Sequence, residues 1–406
     1  MDKDADLVPA RSLLRKGWEI LSSSIFRTWN SPGFKIAIVV FIISKVALSI
    51  WVVIVRQVFG APISPQHVLQ LYVGVEVSDS IILEPWQRWD TLHYQAIAER
   101  GYSAFEYALF VPPLYPILIR GVSFVIGENT LLSGILISNS AYLLGLIAFY
   151  QYAFEESKDE KISRRSLVYL ASFPAAFFFL AAYTESLFLL SASLTLLFTL
   201  QRRWFPAGIW GGFAALSRLP GAVLIIPLTY AALAASRSSK DWKPWISVIG
   251  TATGAAIFPL YTRWVLNKPP WTPVLIQSAR FSGGFSFPGL NVLHAFERIF
   301  LGKAFIGDYI DLAFIMIFAV LAVPVFQKLS RLSVVYYLSY LTLFLVREAG
   351  GQPLLGTARY VLVFLPAFII LGKAGTNRRI HRIILYASWM LLLFMVGQFA
   401  IWGWVG

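Results

Sequence analysis

Cysteine is absent from the 406 residues, so the chain has no disulfide framework, no thiolate metal site and no cysteine nucleophile. Charge is scarce: Asp, Glu, Lys and Arg make up 14%, where an ordinary soluble domain carries about 25%. A soluble globule, a disordered chain and a coiled coil are thereby excluded. Neither G-x-x-x-x-G-K-S/T nor a G-x-G-x-x-G strand-to-helix unit occurs, which leaves nucleotide binding unsupported. Acidic residues are the scarcer sign, 21 against 34 basic ones. In a soluble protein the resulting net charge of +13 would point to nucleic acid.

What is present is apolar: 57% of residues, with a mean hydropathy of +0.67. The first long run, near Lys35 to Phe59, is sufficient to cross roughly 30 Å of hydrocarbon at about 1.5 Å per residue. It starts too late behind a mixed-charge segment, and is too long, for a cleavable signal peptide. Before it, Leu14, Trp18, Leu21 and Ile25 recur at helical spacing beside Arg11, Arg15, Lys16 and Arg27. That pattern predicts residues 1–34 as a cytoplasmic interfacial segment on an anionic leaflet, with a frayed tail as the alternative. Further runs lie near 131–154, 166–182, 185–201, 205–217, 220–236, 244–264, 308–326, 333–347, 354–372 and 382–404, making eleven expected spans. The run 112–127 begins with Pro112, Pro113 and Pro116 and carries Arg120. At about 16 residues it reaches only about 24 Å, and it reads as a juxtamembrane helix within an outer loop of 58–130.

Orientation follows from the basic residues, which concentrate in cytoplasmic loops. With the N-terminus inside and 112–127 not crossing, the inside segments hold about 21 of the 34 Lys and Arg. The excess of positive charge is thus a topology marker, and nucleic acid is not an expected partner. The C-terminus then faces outward, with Trp402 and Trp404 as interfacial anchors. Lys45 is an intramembrane charge with no evident role.

Most remaining polar clusters fall on the outer side: the 58–130 loop, the Tyr183-Thr184-Glu185 turn, the Ser217 to Gly221 break, a flap loop at 265–307, and Arg347 to Tyr360. One-sided clustering points to chemistry at a membrane surface, whereas a transporter more often places polar groups near the midplane. The 265–307 loop carries the KPPW run, Ser282-Gly283-Gly284, and Phe281, Phe285 and Phe287. The densest cluster is EPWQRWDTLHYQAIAERGY, Glu84 to Tyr102. Pro85 suits a first helical turn and Gly101 a C-terminal stop, predicting a helix of about 16 residues. On it Trp86, Trp89, Asp90, His93 and Ile97 recur at three- and four-residue steps, with Tyr94 one turn after Asp90. Periodicity leaves two readings open: an interfacial aromatic belt with a solvated Asp90, or a carboxylate framed for catalysis.

WDTLHYQAIAERGY followed by FVPPLYPILIRG resembles the first outer loop of the GPI mannosyltransferase 2 family, which has bacterial relatives. AAYTESLFLLSASL (181–194), AALSRLPGAVL (214–224) and GTARYVLVFLPAF (356–368) resemble the same family, in the same order. The resemblance implies an all-α polytopic membrane protein of GT-C fold, a single domain over 1–406 in a bacterial plasma membrane, with juxtamembrane helices in its first outer loop. It further implies a mannosyltransferase that uses a polyprenyl-phosphate sugar donor and a glycolipid or glycan acceptor, with the catalytic carboxylate at Asp90. An inverting displacement with Asp90 as general base fits that chemistry. The leaving phosphate needs cations, for which arginine is suited; Arg218, Arg280, Arg347 and Arg359 all fall on or near the outer side, with Arg359 the first choice and Arg218 the second, and headgroup anchoring is the alternative for Arg280 and Arg347. His93, Tyr94, Glu185 and Trp89 are candidates for sugar or acceptor binding. Asp90 and His93 would supply two metal ligands at helical spacing, but no third is evident, since Asp308 and Asp311 are distant in sequence; no metal or cofactor is therefore expected. The alternatives are a GT-C transferase using another sugar or a protein acceptor, and a non-enzymatic lipid-linked glycan transporter.

Overall fold

A computed structural model describes residues 32–60, 73–239, 241–280 and 283–405. The expected interfacial helix at 1–34 lies almost wholly outside the described residues, as do Phe281 and Ser282. The described chain is almost entirely helical, with one two-stranded ribbon. In order the helices are α1 (Pro32–Phe59), α2 (Asp90–Arg100), α3 (Leu114–Ser123), α4 (Thr130–Ser157), α5 (Glu160–Ser172), α6 (Glu185–Leu200), α7 (Trp204–Ser217), α8 (Ile225–Ser239) and α9 (Trp245–Trp264). They continue with α10 (Thr272–Arg280), α11 (Leu290–Phe300), α12 (Ile306–Lys328), α13 (Arg331–Val346), α14 (Thr357–Tyr360), α15 (Leu365–Ala374) and α16 (Arg378–Ala400). Strands β1 (Gly284–Phe285) and β2 (Arg347–Glu348) pair antiparallel.

Six helices among the described residues are long and apolar enough to cross a membrane, seven when the pair Thr357–Val363 and Leu365–Ala374, bent by 84°, is taken as one span. The chain is an integral membrane protein. The difference from eleven lies in four runs, 166–182, 185–201, 205–217 and 333–347, none of which forms a continuous helix of 18 residues. Helices α6 and α13 are apolar but only 16 residues each, and α7 has 14. Helix α6 is buried along nearly its whole length, so its hydropathy reflects burial inside the bundle. In α1, Ala37, Ser44, Leu48, Val52 and Val55 are buried at helical steps, while Val39, Ile42, Ile43, Val46 and Ile50 stay exposed. One stripe thus faces protein and the other is left for lipid. The charge at Lys45 finds a partner there, its Nζ lying 5.5 Å from the Trp86 ring centre.

Helices α7 and α9 approach through small residues. A side chain at Gly250 or Gly254 would run into the backbone of Gly208 or Gly212, the close packing that small residues allow between membrane helices.

Two of the runs are interrupted, and a further break falls between α7 and α8, where the sequence already places one. Helix α5 stops at Ser172, before Pro174, and residues 173–184 run through the core with a single short 3-10 turn at Ala176–Phe179. Their freed carbonyls are satisfied by neighbours: Ser138 Oγ donates to Tyr183 O (2.8 Å), Asn139 Nδ2 to Leu180 O (2.9 Å) and Ser186 Oγ to Phe179 O (2.7 Å). Such backbone is tolerated at membrane depth only where protein or a water-filled cavity covers it. Between α7 and α8 the chain breaks at Arg218 and re-enters as a 3-10 turn, Leu219–Leu224, opened by Pro220. The third break separates α14 from α15 around Phe364, where Pro366 opens the next helix. Glu185, Arg218 and Arg359 each sit at or beside one of these breaks.

Candidate active site

The Glu84 to Tyr102 segment is not one helix. A 3-10 turn at Glu84–Trp86 is followed by a sharp bend, and α2 starts at Asp90. The bend sits at Trp89, whose φ of 51° is rare for a residue other than glycine. Backbone strain of this kind costs of order 1–3 kcal/mol and persists only where surrounding contacts over-determine it. Those contacts are present. Arg88, 1% exposed, donates to Ala400 O (2.8 and 3.1 Å) and to Glu84 Oε1 (2.7 Å), tying the bend to α16. The Trp89 ring lies edge-on to Trp402 (5.7 Å) and Trp404 (4.9 Å). The Tyr183 hydroxyl accepts from the Asp90 amide (3.2 Å) and donates to Arg88 O (3.2 Å). Asp90 is thereby set in the first turn of α2, where a carboxylate is favoured.

Asp90 Oδ2 accepts from Arg359 Nη1 at 2.6 Å. Arg359 Nε also donates to Glu185 Oε1, which pairs in turn with Arg218 Nη1. Two carboxylates and two arginines therefore form one chain across three breaks, with Asp90 and Arg359 269 positions apart in sequence. Glu185, Arg218 and Arg359 are buried, whereas the Asp90 side chain is 22% exposed. The Arg359 guanidinium also lies 4.6 Å from the Tyr183 ring and 5.0 Å from that of Phe178.

Asp90, Arg359 and Arg218 line a cleft together with Tyr94, Arg347, Tyr360 and Trp404. Among the described residues Asp90 is the single carboxylate in that lining. Of the four residues expected to meet sugar or acceptor, Tyr94 alone reaches the cleft. Its phenol is pushed above the ordinary tyrosine range by burial, with Asp90 acting in the same direction, so it stays neutral and able to donate. His93 is buried behind, its Nδ1 3.9 Å from Asp90 Oδ1 and its ring against Phe105 and Phe110. Glu185 lies beneath the arginines, and Trp89 braces the bend. Trp402 and Trp404 close over Trp89, and Trp404 reaches the cleft wall.

A second, more apolar cavity of about 320 Å³ adjoins the cleft. Its walls come from the Leu219–Leu224 turn, α9, α10, β1 and the end of α13, with Val223, Ala255, Val274 and Leu343 among them. The 265–307 loop thus contains α10, β1 and α11, and β1 is fixed to β2.

Three residues that matter to this geometry were given no part in it by sequence reasoning. Arg88 pins the bend, and its only linear signal is the four-residue step from Glu84. Tyr183 holds the Asp90 amide. Asp311, on α12, accepts from the Ala358 amide at 2.6 Å and so anchors the short helix that carries Arg359. Among the described residues no three His, Asp or Glu side chains cluster as a metal site.

Comparison with known proteins adds two findings. The family described as dolichyl-phosphate-mannose-protein mannosyltransferase matches residues 111–262, a stretch that includes Glu185 and Arg218 but neither Asp90 nor Arg359. A protein of Schizosaccharomyces pombe named GPI mannosyltransferase 2 is 25% identical over 138 residues, 34% of this chain. The matched stretch spans 30% of that relative's length. Both findings support the resemblance to the GPI mannosyltransferase 2 family and to the GT-C superfamily.

Proposed function

We propose that the chain is an inverting glycosyltransferase that moves mannose from a polyprenyl-phosphate donor to a lipid or glycan acceptor at the outer membrane face. The observation that carries this reading is the cleft itself, in which one carboxylate faces arginines and an apolar cavity opens alongside. A lipid-phosphate sugar has the matching parts: an apolar chain, an anionic link and a sugar.

In the reaction the acceptor hydroxyl gives its proton to Asp90 as its oxygen bonds to the anomeric carbon. The bond from that carbon to the phosphate oxygen breaks, and polyprenyl phosphate leaves as an anion. A positioned general base contributes about 10²–10⁴ in rate. One carboxylate set beside the arginines suits a general base for direct displacement with inversion. Arg359 and Arg218 stabilise the charge that grows on the phosphate. Tyr94 donates to a sugar or acceptor hydroxyl, His93 supports Asp90 from one turn away, and Glu185 and Trp89 hold the arginines and the bend in place. The chain sits in a bacterial plasma membrane; its N-terminus lies in the cytoplasm, a reading supported by the concentration of about 21 of the 34 basic residues in the segments that the eleven-span topology places inside.

The test is purified protein with radiolabelled polyprenyl-phosphate mannose, offered against lipid, glycan and protein acceptors. Label in a lipid or glycan product is expected, with the configuration at the anomeric carbon inverted. EDTA is expected to leave the rate unchanged, because arginines supply the positive charge. Label only in protein redirects the acceptor, and no transfer to any acceptor overturns the reading.

A further inference from the structure

We propose that Arg347 receives the phosphate of the lipid-linked donor at the junction of the polar cleft and the apolar cavity. The inference rests on the donor class proposed above and adds a phosphate ligand at the boundary between the two spaces.

Five residues line both spaces: Leu219, Pro220, Gln277, Arg347 and Tyr360. Arg347 is the one charged side chain among them. In a polyprenyl phosphate the phosphate is joined directly to the apolar chain. A chain lying in the cavity therefore puts its phosphate at this boundary, before the sugar reaches Asp90.

The arginines deeper in the cleft already have anionic partners. Arg359 is shared between Asp90 and Glu185, and Arg218 is paired with Glu185. Arg347 forms no ion pair among the described residues. Glu348 beside it is engaged with His294 Nδ1 at 2.5 Å. Of the five N–H donors on a guanidinium, Arg347 has one on Leu355 O at 3.0 Å, and its plane lies 4.5 Å from the Tyr360 ring centre. The remaining donors form a fork suited to two phosphate oxygens.

The residue is also held in place. Asn291, 1% exposed, donates through Nδ2 to Arg347 O (2.6 Å) and to Phe344 O (2.7 Å). The ribbon sets Phe285 opposite Arg347. The backbone under Arg347 is thus fixed on both sides, which lowers the ordering cost of binding.

The test uses the full chain in nanodiscs and two probes of equal length, a C55 polyprenyl phosphate and the neutral C55 polyprenol. Wild-type protein is expected to prefer the phosphate. A charge-assisted, two-oxygen contact predicts that Arg347→Gln weakens phosphate binding by roughly 10–100-fold and leaves polyprenol binding unchanged. Arg347→Lys, which keeps the charge but not the fork, should retain part of the preference. Arg347→Gln with wild-type preference overturns the assignment, as does equal loss of both probes, which marks a structural role. Should Arg347→Gln fail to fold, Arg347→Lys decides: a preference identical to wild type overturns the assignment. Wild-type protein that binds both probes equally overturns the donor class itself, a result distinct from failure at Arg347 alone.

Discussion

Asp90→Asn separates the proposed chemistry from the architecture around it. The substitution keeps the side-chain shape and an oxygen that can accept from Arg359, while removing both the charge and the basicity. The structural loss is that of turning an ion pair at 2.6 Å into a hydrogen bond from the Arg359 cation to a neutral amide oxygen, a difference of about 1 kcal/mol. It is moderated because the Asp90 side chain is 22% exposed and Arg359 keeps its second contact to Glu185. The catalytic loss is larger. Removing a general base lowers turnover by about 10²–10⁴, or roughly 2.7–5.5 kcal/mol of barrier. Thermal unfolding in detergent should therefore move by no more than a few degrees, while single-turnover transfer from polyprenyl-phosphate mannose falls at least a hundredfold. The donor KM should not rise, since Arg359 loses a competitor for the phosphate. A variant that folds normally and keeps more than a tenth of wild-type turnover refutes the base assignment. A raised donor KM with unchanged turnover refutes it as well, and makes Asp90 a residue that positions Arg359.

Two further predictions concern stability. Glu185→Gln weakens the common partner of two buried arginines; breaking such a pair costs about 3–5 kcal/mol, part of which the glutamine carbonyl restores. Its unfolding midpoint should fall below that of Asp90→Asn, and a midpoint equal to wild type contradicts a structural role for the buried charge. Gly254→Leu places a side chain against the backbone of Gly212 and should cost at least the 1–3 kcal/mol of an overpacked core. Gly307→Ala, where a methyl meets nothing within 4 Å, serves as the neutral control in the same melting assay.

The sequence reveals its apolar runs clearly and their fates less so. Hydropathy reports that a segment avoids water; it does not distinguish lipid outside from protein inside. Helix α6 illustrates this, since its 16 residues reach about 24 Å at 1.5 Å each and are buried in the bundle. The breaks carry local marks, Pro174, Pro220 and Pro366 among them, and the Arg218 break is readable for that reason. The bend at Trp89 carries no such mark. Pro85 and Gly101 frame a helix that periodicity continues through Trp89, whereas the contacts forcing the bend come from Tyr183, Ala400 and Trp404. Asp90 is legible through its local motif. Its pairing with Arg359 is not, because 269 positions separate the two and only the folded breaks bring them together.

That the site is assembled from interrupted helices has a physical cause. A break inside an apolar bundle frees peptide groups that lipid cannot satisfy, so each break must be covered by a polar partner. Tyr340 donates to Pro220 O (3.1 Å), Tyr336 to Val363 O (2.6 Å) and Ser138 to Tyr183 O (2.8 Å). Asp311 accepts from the Ala358 amide at the third break. With the backbone covered from within, the side chains at the breaks are left to face the cleft, and there the bundle holds charges that an uninterrupted lipid-facing helix would exclude. Burying those charges separately would be costly, but Glu185, Arg359 and Arg218 are buried and, with the partly exposed Asp90, form one neutral chain in which each charge has an opposite neighbour. That chain therefore holds two oriented cations without a net charge to desolvate. An arriving phosphate changes that balance by adding negative charge beside arginines whose positions are already fixed. Preorganised cations of this kind stabilise charge as it develops because they need not be reoriented during the reaction.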